Sequence, residues 1–436
     1  MIADALRKLE LDAVPMATPT GRLVGASGLL LEAMGCPMHT GQRCQIETVS
    51  GEWLDAQVVG FRDKLSFLMP FKKAVGLTTG ARVMPSPEKV SLTIGPGWLG
   101  RMVNGLGEPI DGLGKLGGDF PLEYTPPRIH PLRKKPVTEP LDVGVRAINA
   151  MLTLGKGQRV GLMAGSGVGK SVLLGMLTRQ TVADVVVVGL IGERSREVRE
   201  FVEMSLGPEG LRKAVLVIAP ADESPLMRIM ATELCHSIAA HYRDQGKNVL
   251  LLVDSLTRYA MALREQALAL GEPPATKGYP PSVFSALPQL VESAGNGENP
   301  NGSMSAIYTV LAEGDDQQDP VVDTARAILD GHIVLTRELA ERGHYPAINI
   351  AASISRCMNQ VISNEHMLAA RALKASMARH DRVRDLIPLG AYVPGADPVT
   401  DKAVNLHPHV EDYLCQGTKE AAPYAACVST LERLMA

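Results

Sequence analysis

The chain has 436 residues, too many for one small domain and enough for two or three. Its 44 Lys and Arg against 47 Asp and Glu give a formal net charge of −3, which argues against a broadly basic nucleic-acid or acidic-lipid binder. A composition of 45% hydrophobic and 21% charged residues excludes intrinsic disorder, and aromatics at 4% leave little for base-stacking platforms.

The opening stretch MIADALRKLELDAV lacks the uninterrupted apolar core of a signal peptide. Residues 1–20 read as a separate segment, either a frayed terminus or a short helix that docks on a partner through Leu6, Leu9 and Leu11. Over residues 21–90, short apolar runs broken by turn residues (RLVGASGLLLEAMG, RCQIETVSG, WLDAQVVGF, KLSFLMPF, ARVMPSP) predict a small β-barrel. Residues 91–138 are Gly-rich and turn-like, then stiffened by Pro126, Pro127, Pro131 and Pro136 into a connector. From 139 to 365, strand and helix signals alternate. QRVGLMA, DVVVVGLIG, AVLVIAP and NVLLLVD read as buried strands, with helix-length segments such as KSVLLGMLTRQ, SREVREFVEMS and PLMRIMATELCHSIAAHYRDQ between them. That alternation predicts an α/β domain with a mostly parallel sheet and helices on both faces. Residues 366–436, including HMLAARALKASMARHDRVRDLI, predict a helical C-terminal domain. The apolar runs Val185–Ile191 and Val249–Val253 are far too short to span a bilayer. The six cysteines show no CxxC pair or zinc spacing, so reduced thiols in a cytoplasmic protein are expected.

The strongest local signal follows the strand at 158–164. Ala164-Gly165-Ser166-Gly167-Val168-Gly169-Lys170-Ser171 fits a phosphate-binding loop, with Ala164 in place of the usual first glycine. Glycines let backbone N–H groups turn inward around phosphate oxygens at a helix N-terminus. Lys170 would then reach the β- and γ-phosphates, and Ser171 would ligate Mg²⁺. Asp254 ends the run Val249–Val253, where a carboxylate can hold magnesium-bound water. Its other reading is a helix N-cap, and the phosphate loop favours the metal. Glu193 follows the strand at 184–191 and is a candidate general base, or else a helix-start Glu facing the macrodipole.

Together with Pro346-Ala347-Ile348-Asn349-x-x-x-Ser353-x-Ser355-Arg356, these residues resemble the catalytic subunits of the rotary ATP synthase α/β superfamily. DSLTRYAMALRE (254–265), GEPPATKGYPPSVF (271–284), EGDDQQDP (313–320) and LGAYVPGADPVTDKAV (389–404) look like type III secretion ATPases, nearest in wording to the flagellar export branch. The resemblance implies a RecA-like nucleotide domain between barrel and helical domain, and ATP with Mg²⁺ as cofactors. It makes Gly165, Ser166, Gly167, Val168, Gly169, Lys170 and Ser171 the phosphate cradle, Glu193 the catalytic carboxylate and Asp254 the acid of the metal shell. Arg194 and Arg258 would order phosphates and carboxylates. Arg356 would be an arginine finger for the neighbouring subunit, an internal ion pair being the alternative. Tyr345 would lie against adenine or serve only in packing. The implied assembly is a homohexamer, peripheral to the cytoplasmic face of the inner membrane. Its implied partners are a stator-like protein at residues 1–20, a central stalk protein facing 271–282 and 315–320, an export gate and chaperone–substrate complexes. No nucleic acid is expected. The alternatives are an injectisome ATPase, a Rho-like RNA translocase, and a β-type ATP synthase subunit.

Overall fold

The computed structural model describes residues 19–86, 92–125, 129–165, 167–311 and 319–436. The chain divides into two compact units, residues up to 90 with 268–272, and residues 91–267 with 273–436.

In the first unit, β1 (Gly21–Ser27), β2 (Leu30–Met34), β3 (Arg43–Glu47), β4 (Trp53–Arg62), β5 (Leu65–Pro70) and β6 (Arg82–Pro85) close into an antiparallel barrel of order β1-β2-β5-β4-β3-β6. Alternate residues point inward, so Cys44 and Ile46 of β3 meet Ala56 and Val58 of β4, Leu68 of β5 and Val83 of β6 in the barrel core. The barrel read from the sequence is present, and closure leaves no unpaired edge.

In the second unit, the stretch read as turn-like contains three short strands. β7 (Leu92–Ile94) pairs with β9 (Phe120–Leu122), while β8 (Met102–Val103) joins the main sheet at its edge beside β14. A further pair, β10 (Pro140–Leu141) and β11 (Leu154–Gly155), precedes β12 (Arg159–Ala164), β13 (Val185–Ile191), β14 (Ala214–Ala219), β15 (Asn248–Asp254), β16 (Ser303–Leu311), β17 (Gly331–Leu335) and β18 (Ile354–Ser355). The eight-stranded order is β18-β17-β12-β16-β15-β13-β14-β8, and every pairing is parallel except β17 with β18. β13 shows why these strands are apolar throughout. Val186, Val188 and Leu190 enter one core and Val185, Val187 and Ile191 the other, so both faces are covered.

Helix Lys170–Gln180 packs into the first of these cores through Leu173, Leu174 and Leu177, and helix Pro225–Asp244 into the second through Leu234, Cys235 and Ile238. The C-terminal helices Asn364–Val383, Pro398–Leu414 and Tyr424–Met435 bury Leu373, Val410 and Leu431 in the same core as the helix Lys170–Gln180. Because the sheet is parallel, the carboxyl ends of β12, β13, β15 and β17 lie on one edge. That edge is where a doubly covered sheet binds ligands.

Candidate active site

β12 runs into Gly165. Beyond Ser166, which lies outside the described residues, Gly167 (φ 80°) and Gly169 (φ 89°) adopt the left-handed conformation that turns backbone N–H groups inward. Gly169 is the cap of helix Lys170–Gln180, and Val168 is buried beneath the loop. Lys170 and Ser171 are therefore the first residues of a helix whose N-terminus faces the sheet edge, a ready anion site.

Three charged groups from three segments meet there. Lys170 Nζ donates to Asp254 Oδ1 at 2.6 Å and to Glu193 Oε1 at 3.1 Å. Lys170, Glu193 and Asp254 are largely withdrawn from solvent. Burial by itself lowers the Lys170 ammonium, but Asp254 and Glu193 outweigh it and hold the amine above its ordinary value. Burial raises the Asp254 carboxyl, with Lys170 opposing. Glu193 reaches the cluster because Gly192 turns the chain with φ 68°, and Arg258 passes so close that a Cβ on Gly192 would sit 2.8 Å from its Cβ. Arg258 donates from Nη1 to Met261 Sδ at 3.5 Å, while its Nε is buried without a hydrogen bond among the described residues. A half-buried guanidinium with an unused donor beside Gly192 suits a phosphate or carboxylate oxygen.

The other arginines stand apart. Arg194 is turned to solvent and lies 3.7 Å from Glu197. Arg356 is exposed, and its Nη2 donates only to the Arg326 carbonyl at 3.2 Å among the described contacts. Ser355 pairs with Gly331 at the start of β17, whereas Leu335 at its end pairs with Ala164 beside the phosphate loop. At strand rise these levels are about 13 Å apart, farther than an Arg side chain reaches.

Tyr345 lies over the loop, with its ring 3.6 Å from the place of a Gly169 Cβ. It borders a cavity of about 210 Å³ lined mostly by apolar groups, among them Val168, Val172, Met176, Leu335 and Pro346. Gln416 and Thr418 also line it, and the Gln416 N–H donates to the Tyr345 carbonyl at 2.9 Å. The cavity is smaller than a whole nucleotide site and suits one flat ring system. Sequence reasoning did not find Gln416, Thr418 or Thr309, whose Oγ1 donates to Asp254 Oδ1 at 2.6 Å. The segment 1–18 and most of the 315–320 loop lie outside the described residues.

Compared with known proteins, the chain matches the ATP synthase alpha/beta family nucleotide-binding domain over residues 144–355 and the T3SS EscN ATPase C-terminal domain over residues 362–433. It is 54% identical over 419 residues to the flagellum-specific ATP synthase of Pseudomonas aeruginosa, covering 95% of this chain and 93% of that protein. The flagellum-specific ATP synthase of Salmonella typhimurium is 52% identical, covering 96% and 94%. The type 3 secretion system ATPase of Xanthomonas euvesicatoria is 42% identical, covering 98% and 95%. Among solved structures, the assembled ATPase EscN of the enteropathogenic E. coli type III secretion system has a TM-score of 0.89 at 41% identity, covering 95% of this chain and 100% of that one. EscN in complex with its central stalk EscO has a TM-score of 0.88 at 40% identity, with the same coverage. A phosphate loop, an acid-bracketed lysine and this likeness over nearly the whole length place the chain in the ATP synthase α/β family, in its type III secretion branch, among the flagellum-specific ATP synthases.

Proposed function

We propose that this chain is the ATP-hydrolysing subunit of a flagellar type III protein-export apparatus, working as a homohexamer to prime chaperone release, unfolding and export. The observation that carries the reading is the placement of Lys170, Glu193 and Asp254 at one edge of the sheet, with Arg356 exposed at a distant level of the same sheet. A ring of identical chains would set one subunit's Arg356 against its neighbour's phosphate loop. The assembled structures of EscN, alone and with its central stalk EscO, support the ring and a stalk partner. No described helix is long and apolar enough to cross a membrane. A cytoplasmic position peripheral to the inner membrane, a stator-like protein at the N-terminus, and an export gate with chaperone–substrate complexes complete the reading.

In this reading the triphosphate lies along Gly165–Ser171 with its base beside Tyr345, and Lys170 leaves the carboxylates for the β- and γ-oxygens. Glu193 orients water for attack on the γ-phosphorus as the bond to the ADP oxygen breaks, and accepts the water's proton. Arg258 orders the oxygens around the transferring group, Arg194 would leave Glu197 and turn in from solvent to join it, and Arg356 from the neighbour meets the charge that develops there. The donors present are hard oxygens, and no group of three His, Cys, Asp or Glu that could hold a metal occurs among the described residues. That set fits Mg²⁺, which keeps several waters and binds through few protein groups. Ser171 would hold it directly and Asp254 through water, and when bound it would neutralise phosphate charge.

The test is ATPase specific activity against protein concentration, for wild type and Arg356→Ala. A steep rise with concentration that the variant lacks is expected, since a finger supplied in trans is worth on the order of 10³–10⁵ in rate. Flat specific activity that ignores Arg356 would overturn the ring.

A further inference from the structure

β16 is the strand between β12, which leads into the phosphate loop, and β15, which ends at Asp254. Its register sets Thr309 beside Leu162 of β12 and Tyr308 beside Val253 of β15. A central parallel strand covered on both faces is expected to be apolar, and a hydroxyl there needs a partner. Thr309 is fully buried, and its Oγ1 donates to Asp254 Oδ1 at 2.6 Å, with the Val253 carbonyl a distant second at 3.5 Å. The same Oδ1 accepts Lys170 Nζ at 2.6 Å.

We infer that Thr309 is a positioning residue for Asp254, holding one carboxylate oxygen so that its rotation about the Cβ–Cγ bond stays fixed while Lys170 exchanges between the carboxylates and a phosphate. The inference rests on the reading of Asp254 as the acid of the metal shell. Two of the three Lys170 N–H donors go to Asp254 and Glu193, so reaching both a β- and a γ-oxygen takes at least one donor away from a carboxylate. When it swings to the triphosphate, the Thr309 hydroxyl is the contact that stays with Oδ1. It comes from the neighbouring strand, a rigid element, and it has no competing acceptor at comparable distance. Without it, a carboxylate buried at 3% relative exposure loses both a donor and its fixed rotamer.

The test uses the full chain and three proteins, wild type, Thr309→Val and Thr309→Ser. Val keeps the shape and removes the hydroxyl, while Ser keeps the hydroxyl. Two readouts are needed: steady-state hydrolysis over a range of ATP and Mg²⁺, and titration of a fluorescent ADP with Mg²⁺ and with EDTA. For Thr309→Val, the expected result is kcat lower by about 10- to 100-fold, the size of a lost hydrogen bond to a charged group. Half-saturating Mg²⁺ rises, and the strengthening of ADP binding by Mg²⁺ shrinks, while affinity in EDTA and the melting temperature stay near wild type. Thr309→Ser recovers most of both. Wild-type turnover and Mg²⁺ response in Thr309→Val would overturn the inference. So would equal losses in Val and Ser, which would make Thr309 a packing residue. A wild type that hydrolyses no ATP would instead overturn the proposed function itself.

Discussion

At the scale of single residues, the site is organised around a competition for Lys170. Its ammonium is bound by two carboxylates, which take two of its three donors, so at least one contact must loosen for it to reach two phosphate oxygens. Glu193 therefore has two opposed effects. In the proposed reaction it orients the attacking water, and its charge also holds the lysine back and repels incoming phosphate. Glu193→Gln separates these effects, because the amide keeps the shape and drops the charge. Turnover should fall by about 10²–10⁴ with loss of the base. Nucleotide affinity should rise, since Lys170 is freed from one anion. Titration of a fluorescent ADP against both proteins checks this, and weaker binding in the variant would show that Glu193 helps to seat the nucleotide.

At the scale of elements, helix Pro225–Asp244 carries two titratable groups three residues apart with opposite consequences for stability. Burial raises the Glu233 carboxyl from 4.5 to about 7 and lowers the His236 imidazole from 6.5 to about 3. His236 is fully buried between the Ser293 hydroxyl at 2.6 Å and the Tyr308 hydroxyl at 3.4 Å. Below pH 6.5 the unfolded chain takes a proton that folded His236 refuses, so its contribution is complete above 6.5 and is lost as pH falls toward 3. Between 4.5 and 7 folded Glu233 keeps a proton that the unfolded chain has released, so its contribution is complete below 4.5 and is lost as pH rises through 7. The two slopes oppose each other where the windows overlap. Glu233→Gln removes one of them. Urea denaturation should then show a gain of about 1–2 kcal/mol near pH 8, reduced from the full linkage value because Glu233 keeps some solvent contact, and little change near pH 4. No gain near pH 8 would mean that Glu233 is ionised at no cost. The same elements show what the sequence could reveal. β12 to β15 are unbroken apolar runs ending at breakers, and local pattern suffices for them. β16, SMSAIYTVL, gives a weaker strand signal because Ser303, Ser305 and Thr309 interrupt its apolar run. Their partners are remote: Ser303 donates to Asn248, Ser305 accepts from the Gly157 N–H, and Thr309 donates to Asp254. The phosphate loop is a contiguous signal, whereas Gln416 and Thr418 reach the Tyr345 cavity only through folding.

At the scale of the whole molecule, the C-terminal helices are built into the nucleotide-binding unit. Arg146, on the helix Arg146–Met151 beneath them, donates to the carbonyls of Tyr413 and Cys415, and its N–H donates to Gln416 Oε1. Gln416 in turn donates to the Gly144 carbonyl and, through its own N–H, to Tyr345. These bonds tie the helical layer to the wall of the cavity beside the phosphate loop. Arg356 follows Ser355 at the far level of the sheet from the phosphate loop, and this sets the strongest test of the assembly. Lys170→Ala should be inactive because it cannot bind the γ-phosphate, and Arg356→Ala because it offers no finger. Mixed in equal amounts, the two variants can form interfaces in which an intact phosphate loop meets an intact Arg356. Random mixing in a head-to-tail ring places such a pair at roughly a quarter of interfaces. Activity should therefore reappear in the mixture of two dead proteins, less than a quarter of wild type if neighbouring sites fire in concert. An inactive mixture, with mixed rings confirmed by native mass spectrometry, would mean that Arg356 acts within its own subunit, and the geometry of β17 and β18 would then have to change on nucleotide binding to bring it there.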